Sequence, residues 1–129
     1  MYIDHVAMWT NDLERIKSFY ECYFGAQAGS KYRNAEKHYE SYFLNFPSGT
    51  KIEIMKQPGI THHCNHPVNI QVGFTHLSIA CGSEQCVDEL TKRLRKDGYQ
   101  VMNDPRRTGD GYYESVIIDP DGNSIEITT

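Results

Sequence analysis

Apolar residues recur along this chain with two periods, one typical of strands and the other of helices. Over residues 2–9 apolar and polar positions alternate, which predicts a strand in which His5 and Trp9 share a face. A helical stripe follows, with Asn11 as the predicted N-cap and Gly25 as the residue that ends the helix. The stripe consists of Leu13, Ile16, Phe19 and Tyr23. Three further strands are predicted after this helix.

The second half of the chain repeats this order. Residues 74–80 alternate like the first strand, Ser83 is the predicted cap of a second helix, and Gly98 ends that helix. Its apolar stripe consists of Val87, Leu90 and Leu94. Pro and Gly within residues 47–49 and 120–122 favour a tight turn between the last two strands of each half. The pattern therefore predicts the order βαβββ, twice.

Two sequence segments are repeated in the same order, which indicates a duplicated unit. Residues 3–9 match residues 74–80 with His5 aligned on His76, and residues 47–54 match residues 120–127. The second pair shares the pattern Pro-x-Gly-x-x-Ile-Glu-Ile. We therefore predict one domain, 1–129, with module one at about 1–56, a linker at about 57–71 and module two at about 72–129.

Composition narrows the classes of function. A hydrophobic fraction of 39% and a charged fraction of 23% are ordinary for a folded soluble protein. The formal net charge of -4 gives no general attraction to nucleic acid or to anionic membranes, so neither is predicted as a partner. The four cysteines form no Cys-x-x-Cys pair and no export signal is visible, which favours reduced thiols in the cytoplasm.

The duplication would place two imidazoles and two carboxylates at equivalent positions. Glu53 and Glu126 each stand between two isoleucines, so the carboxylates project from the face opposite the core. A single strand Glu is more often a solvated surface residue, but two His and two Glu repeated in register can converge on one axis. Together with His5 and His76 they would suit one divalent ion: Zn, Ni, Co, Mn or Fe.

A second histidine cluster lies within the predicted linker, at residues 62–66. Its potential ligands are too close together along the chain for a standard zinc spacing, and no second pair of ligands follows them. A polar loop is the interpretation that we favour for this cluster, and such a loop could cover an active site.

The landmarks of this chain resemble the vicinal oxygen chelate superfamily, the glyoxalase/bleomycin-resistance/dioxygenase group. They include residues 3–7, 11–14, 19–25, 74–77 and 119–126, so the resemblance covers nearly the whole chain. The likeness is greatest to the bacterial glyoxalase I-like (lactoylglutathione lyase-like) proteins. Their metal pattern is His, Glu, His, Glu, which His5, Glu53, His76 and Glu126 match.

The resemblance implies an α+β fold in which two βαβββ modules form a curled mixed sheet around a central metal cleft. It also implies a lyase or isomerase that acts on a small dicarbonyl–thiol adduct, or a related oxygen-chelating substrate, through an enediolate. Zn or Ni would be the preferred metal. By position Glu126 would be the catalytic base and Glu53 its pseudo-symmetric partner. A divalent ion offsets charge that develops on oxygen, and a positioned carboxylate moves the proton.

The chain departs from glutathione-using relatives at two positions. Trp9 stands where an Arg is usual, and Gln57 stands where Asn is common. Loss of the Arg removes a charge-assisted contact to a carboxylate of glutathione, so the identity of the thiol in the substrate stays open. Trp9 would instead line the cleft as a substrate-binding residue. Residues 105–113 are a candidate replacement for the lost anchor through Arg107, Tyr112 and Tyr113, the alternative being an ordinary exposed hairpin loop.

Other functions within the same class stay open at this point. An epimerase, or a thiol transferase that opens an epoxide antibiotic, would use a similar metal site. A metal-free drug-binding protein is a further alternative, although a sequestering cleft needs no metal ligands. In each case the partner is a small molecule. A homodimer is also predicted, because a chain of 129 residues buries only a modest fraction of its surface alone.

Overall fold

The computed structural model describes residues 1–61 and 72–129. The chain divides into two compact units, Met1–His62 and His63–Thr129, here called the N-terminal unit and the C-terminal unit. The N-terminal unit contains β1 (His5–Trp9), α1 (Leu13–Phe24), β2 (Gln27–Ala28), β3 (Tyr32–Asn34), β4 (Tyr39–Asn45) and β5 (Lys51–Lys56). The C-terminal unit contains β6 (Leu77–Ala80), α2 (Glu84–Lys96), β7 (Val101–Arg107), β8 (Tyr113–Ile118) and β9 (Ser124–Thr128).

The two units have the same sheet topology. Strands of the N-terminal sheet follow the order β1-β5-β4-β2, and those of the C-terminal sheet follow β6-β9-β8-β7. In each sheet the first strand runs parallel to the last, while the other pairings are antiparallel. This confirms the α+β class and the duplicated βαβββ order. One difference is that the second strand of the N-terminal unit is divided into two short pieces, β2 and β3, which both pair with β4.

Both helices begin at a capping side chain. The carboxylate of Asp12 accepts a hydrogen bond from the amide of Arg15 at 3.1 Å, so the N-cap of α1 is Asp12, one residue later than the predicted cap Asn11. Ser83 caps α2 as predicted and accepts from the amide of Cys86 at 3.1 Å. Gly25 ends α1 with φ of 66°, a left-handed conformation that glycine adopts without steric cost.

The core of each unit lies between its helix and one face of its sheet. Ile52 and Ile54 are 2% and 0% exposed, and Ile125 and Ile127 are fully buried. Burial of each such side chain contributes roughly 1.5–3 kcal/mol. Because strand side chains alternate, the Glu between each isoleucine pair projects from the face away from the helix, called here the open face.

Neither helix is long and apolar enough to cross a membrane, within the ranges that the structure describes. Part of the predicted linker, including the histidine cluster at residues 62–66, lies outside the described residues.

Candidate metal centre

The open face of the N-terminal unit brings His5 next to Glu53. β1 lies beside β5 with Ala7 opposite Glu53, and His5 is two residues away from Ala7 on the same face. The Nε2 atom of His5 is 3.7 Å from Oε2 of Glu53. These two residues are called the N-terminal pair. Sequence repetition predicted that His5 is equivalent to His76 and Glu53 to Glu126, and the parallel pairing of β1 with β5 explains how the N-terminal pair meets.

The other ring nitrogen of His5 is held by Asp4. Nδ1 lies 2.8 Å from Oδ2 of Asp4, and the ammonium of Lys51 contacts both oxygens of Asp4 at 2.9 and 3.0 Å. Hydrogen bonds from His5 and Lys51 lower the pKa of Asp4, so its carboxylate is an acceptor only. Nδ1 then carries a hydrogen, so in a neutral imidazole the lone pair belongs to Nε2, the nitrogen that faces Glu53, as in carboxylate–histidine–metal arrangements.

Tyr39 fixes one oxygen of Glu53. The phenol of Tyr39 donates to Oε1 at 3.0 Å, while Oε2 is the atom that faces His5. Burial of Tyr39 and its hydrogen bond to Glu53 raise the pKa of the phenol, so it stays a donor over the whole physiological range. The carboxylate of Glu53 therefore has one oxygen held by the protein and one directed at the imidazole.

The C-terminal unit repeats this arrangement with His76 and Glu126, called the C-terminal pair. Nε2 of His76 is 3.5 Å from Oε2 of Glu126. Ser78 lies opposite Glu126 in the parallel pairing of β6 and β9, and its hydroxyl donates to Oε1 at 2.6 Å. The side chains of Glu53 and Glu126 are 16% and 17% exposed, so both carboxylates are mostly withdrawn from water yet open on one side.

A second carboxyl group lies beside Glu126. Val116 is opposite Glu126, and Glu114 is two residues before it on the same open face. Burial and the neighbouring charge of Glu126 raise the pKa of Glu114, while Nη1 of Arg106 at 3.4 Å partly opposes this. Sequence analysis missed Glu114 and included Arg106 only as part of the candidate segment 105–113. The alternation of buried Ser115 and Ile117 along β8 was the available signal, since it assigns Glu114 to the other face.

The donor atoms of the two pairs suit a divalent transition metal. Two neighbouring ligands bound at about 2.1 Å lie roughly 3.0–3.4 Å apart, close to the separations of 3.7 and 3.5 Å. Over residues 1–61 and 72–129, no three His, Cys, Asp or Glu side chains form one group able to hold a metal. Each pair supplies half of the predicted ligand set, and convergence of the four residues stays a prediction.

Aromatic side chains surround the N-terminal pair. The ring of Trp9 packs edge-on against Tyr39 at 6.2 Å between centroids, and Tyr39 packs against Tyr32 at 6.0 Å. Phe43 meets the imidazole of His5 edge-on at 5.2 Å. Trp9 and Tyr32 are nevertheless 45% and 55% exposed, and through their shared neighbour Tyr39 they form an exposed aromatic patch. Trp9 therefore lies at the predicted site, and Tyr32 and Tyr39 extend the same wall.

The three other predicted substrate-binding residues lie elsewhere in the C-terminal unit. Arg107 pairs with Glu84 of α2, and the phenol of Tyr113 donates to Asp88 of α2 at 2.8 Å. Both residues are thus on the helix side of the sheet, opposite Glu126. Tyr112 is an exposed residue of the β7–β8 turn, where its carbonyl accepts from the amide of Thr108. Arg106, one residue earlier than Arg107, lies beside Glu114 on the open face of the C-terminal unit.

Comparison with known proteins identifies the family. The family described as "Glyoxalase/Bleomycin resistance protein/Dioxygenase superfamily" matches this chain over residues 2–127. The chain therefore belongs to this superfamily. It is also similar to the uncharacterized protein YqjT of Bacillus subtilis (strain 168), with 25% identity over 134 residues that cover 95% of this chain and 94% of YqjT.

Solved structures share the fold. Glyoxalase I from Zea mays matches with a TM-score of 0.79 and 23% identity over 98% of this chain, which spans 43% of the maize protein. A glyoxylase/bleomycin resistance protein/dioxygenase domain from Frankia sp. EAN1pec gives a TM-score of 0.82 with 19% identity, covering 99% and 96% of the two chains. The trypanothione-dependent glyoxalase I of Leishmania major gives 0.77 with 23% identity, covering 100% and 86%. At these identities the likeness establishes the fold.

Proposed function

We propose that this chain is a metal-dependent lyase or isomerase of the glyoxalase I type. The observation that carries the proposal is the duplicated His–Glu pair, in which the imidazole Nε2 and a carboxylate Oε2 face each other at matching positions of two matching sheets. The substrate would be a small dicarbonyl–thiol adduct or a related molecule with two adjacent oxygens. Membership of the superfamily supports this choice of reaction class.

Under this proposal the N-terminal and C-terminal pairs together hold one divalent ion per site. Two imidazoles and two carboxylates favour Zn or Ni, and they would also accept Co, Mn or Fe. When bound, such an ion offsets the negative charge that develops on the substrate oxygens. Hydrogen bonds to three of the four proposed ligands support this set, because each is made by the side-chain atom that does not face the other member of its pair. Asp4 holds Nδ1 of His5, Tyr39 holds Oε1 of Glu53 and Ser78 holds Oε1 of Glu126.

Glu126 is the proposed base that takes a proton from one substrate carbon and returns it to the adjacent carbon. Its carboxylate is held by the hydroxyl of Ser78, a short side chain that can change rotamer and so let the carboxylate turn. Glu53 is held by Tyr39, whose ring is packed between Trp9 and Tyr32. We therefore assign the moving carboxylate to Glu126 and the fixed partner to Glu53.

The exposed rings would place the substrate and exclude water from one side of it. Trp9 and Tyr32 present apolar surface beside the N-terminal pair, which favours a substrate with an apolar or aromatic group. Those same rings also support the alternative of a drug-binding protein that works without metal. Metal content separates the two functions, because a protein that only sequesters an apolar drug does not need metal-binding residues.

The test is metal analysis of purified protein, followed by a proton-exchange assay by NMR in deuterated water with candidate substrates. We expect one metal per chain, loss of activity on chelation, and recovery when the metal is returned. Glu126→Gln should lower turnover by about 10²–10⁴-fold, as expected for loss of a general base. Glu53→Gln should chiefly weaken metal binding. Full activity after chelation and exhaustive dialysis would refute the proposal.

We further propose that the chain forms a homodimer, as its small size suggests. Sedimentation equilibrium at micromolar concentration checks this directly. A monomer at high micromolar concentration would contradict it, without bearing on the assignment of the metal ligands.

A further inference from the structure

Two cysteines meet where the C-terminal unit turns from β6 into α2. Cys81 follows the last residue of β6, and Cys86 is in the first turn of α2. The sulfur of Cys81 is 3.8 Å from the carbonyl oxygen of Ser83, the residue that caps α2, and the amide of Cys86 donates to the hydroxyl of Ser83 at 3.1 Å. The two thiols also hydrogen-bond each other. Cys81 and Cys86 are called here the thiol pair.

The matching connection of the N-terminal unit is built without cysteines. Thr10 occupies the place of Cys81, because the amide of each donates to the last strand of its own sheet at 2.8 Å. Arg15 occupies the place of Cys86, because each is the third residue of its helix and donates its amide to the capping side chain at 3.1 Å. The duplicated fold therefore forms without thiols at these positions, and the thiol pair is an addition that belongs to the C-terminal unit.

The members of the thiol pair are half-buried and carry free thiols, so both are partly exposed to small molecules in solution. Burial, together with the hydrogen bond to Cys86, raises the pKa of the Cys81 thiol to about 11. Cys81 is therefore protonated at neutral pH, and because the nucleophile is the thiolate, it does not attack first. The first attack on an electrophile is thus assigned to Cys86, with Cys81 next to it as the second thiol.

We propose that the thiol pair is a dithiol–disulfide site that reacts with small disulfides, the oxidised forms of low-molecular-weight thiols. The thiolate of Cys86 attacks one sulfur of the external disulfide and displaces one external thiolate. Cys81 then loses its proton and attacks the sulfur of Cys86, which displaces the second external thiolate. The protons of the two cysteines end on the two released thiols, so the pair is oxidised to one S–S bond while the external disulfide is reduced. This inference does not depend on the proposed function.

The test treats the folded full chain with oxidised glutathione, blocks the remaining thiols by alkylation, and locates the products by mass spectrometry of the intact chain and of its peptides. We expect a disulfide between Cys81 and Cys86, which lowers the mass by about 2 Da for the two hydrogens lost. Cys81→Ser should stop the reaction halfway, with one glutathionyl group left on Cys86. Cys86→Ser should react with the probe at least about tenfold more slowly, because the protonated Cys81 is then the only thiol of the pair.

The other two cysteines of the chain supply the controls. Cys22 is exposed on α1, and Cys64 lies outside the described residues. Rates are therefore measured in a chain that carries Cys22→Ser and Cys64→Ser, in which the thiol pair should still close. Peptide mapping of the wild type needs no substitution, so it tests the proposal even where a variant fails to fold. Four results would overturn it: two thiols of the pair that stay reduced, a disulfide from Cys64 to either of them, a glutathionyl group that persists on Cys86 in the wild type, or equal rates for the two single variants.

Discussion

The two units place a histidine and a glutamate together in the same way but support them differently. In both, the histidine precedes or begins the first strand, the glutamate is central in the last strand, and the donor atoms are 3.5–3.7 Å apart. In the N-terminal unit Asp4 holds the imidazole and Tyr39 holds the carboxylate. In the C-terminal unit Ser78 holds the carboxylate. The ligands are duplicated, and their supports have diverged.

Register shows where the divergence arose. Ala7 occupies the position opposite Glu53 that Ser78 occupies opposite Glu126. On the other flank, Phe43 is opposite Glu53 where Val116 is opposite Glu126. The C-terminal unit therefore has a hydroxymethyl side chain where the N-terminal unit has a methyl group, and the N-terminal unit has an aromatic ring where the C-terminal unit has an aliphatic side chain. In the N-terminal unit, aromatic rings surround the His–Glu pair and present apolar surface beside it. In the C-terminal unit, a hydroxyl group contacts the glutamate from the neighbouring strand.

The largest expected effect concerns the turns that position the glutamates. In the C-terminal unit Asp119 accepts hydrogen bonds from the amides of Asp121 and Asn123 and from the side chain of Asn123, at 2.8–2.9 Å. Asp119→Ala leaves these donors in a nearly buried place without their acceptor, so we expect a loss of about 3 kcal/mol in urea unfolding. Ser48→Ala in the matching turn, where the bond to Thr50 is long at 3.4 Å, should cost less than about 0.5 kcal/mol. Equal costs would show that the two turns are equivalent.

A second prediction addresses the imidazoles. Asp4→Ala should weaken metal binding by about 10- to 100-fold in competition titrations, since the carboxylate fixes the tautomer of His5. Thr75→Ala changes the residue before His76 and is the matched control, for which no loss is expected. In metal-free protein, ¹⁵N NMR of the His5 ring should show the Nδ1–H tautomer in the wild type and a mixture in Asp4→Ala. An unchanged tautomer would mean that Asp4 does not determine which ring nitrogen of His5 carries the hydrogen, and would contradict this account.

Sequence analysis aligned the two His–Glu pairs, whose role as metal ligands stays a prediction, but it did not find the residues that support them. Repetition aligned His5 with His76 and Glu53 with Glu126 because a duplicated fold keeps each strand position on its face. Tyr39 meets Glu53 through a strand pairing that local periodicity does not specify. Sequence analysis treated residues 105–113 as one candidate segment and selected Arg107 from it, whereas β7 continues to Arg107 and β8 begins at Tyr113. In a strand, neighbouring residues face opposite sides, so that choice depended on register.

A third prediction compares the two carboxylate supports. Ser78→Ala and Tyr39→Phe each remove one hydrogen bond to a proposed ligand, so each should weaken metal binding by about threefold to tenfold. The double variant should show the product of the two losses if the supports act independently. Ala7→Ser, the reciprocal change, introduces a hydroxyl opposite Glu53 and should partly offset Tyr39→Phe. If Ala7→Ser does not restore metal binding in the Tyr39→Phe variant, positions 7 and 78 are equivalent in backbone register but not in side-chain function.

The smallest expected effect separates the helices of the two units by their response to acid. Hydrogen bonds from Lys17, Lys31 and Tyr42 lower the pKa of Glu14 from 4.5 to about 2. Gln85 stands at the corresponding place on α2 and donates to Glu89, so this helix lacks the same acid-sensitive group. A carboxyl group with a depressed pKa in the folded state stabilises that state above pH 4.5, and the contribution is lost as the pH falls toward 2.

Glu14→Gln should therefore be less stable than the wild type at pH 7 and equal to it near pH 2. Because the side chain of Glu14 is about half exposed, the difference at pH 7 should stay below about 1 kcal/mol. Urea unfolding at several pH values between 7 and 2 measures it, with Gln85→Ala as the control whose difference from the wild type should not vary with pH. A Glu14→Gln curve that runs parallel to the wild-type curve across this range would show that water screens the Lys17 and Lys31 contacts, leaving the acid response of the two helices the same.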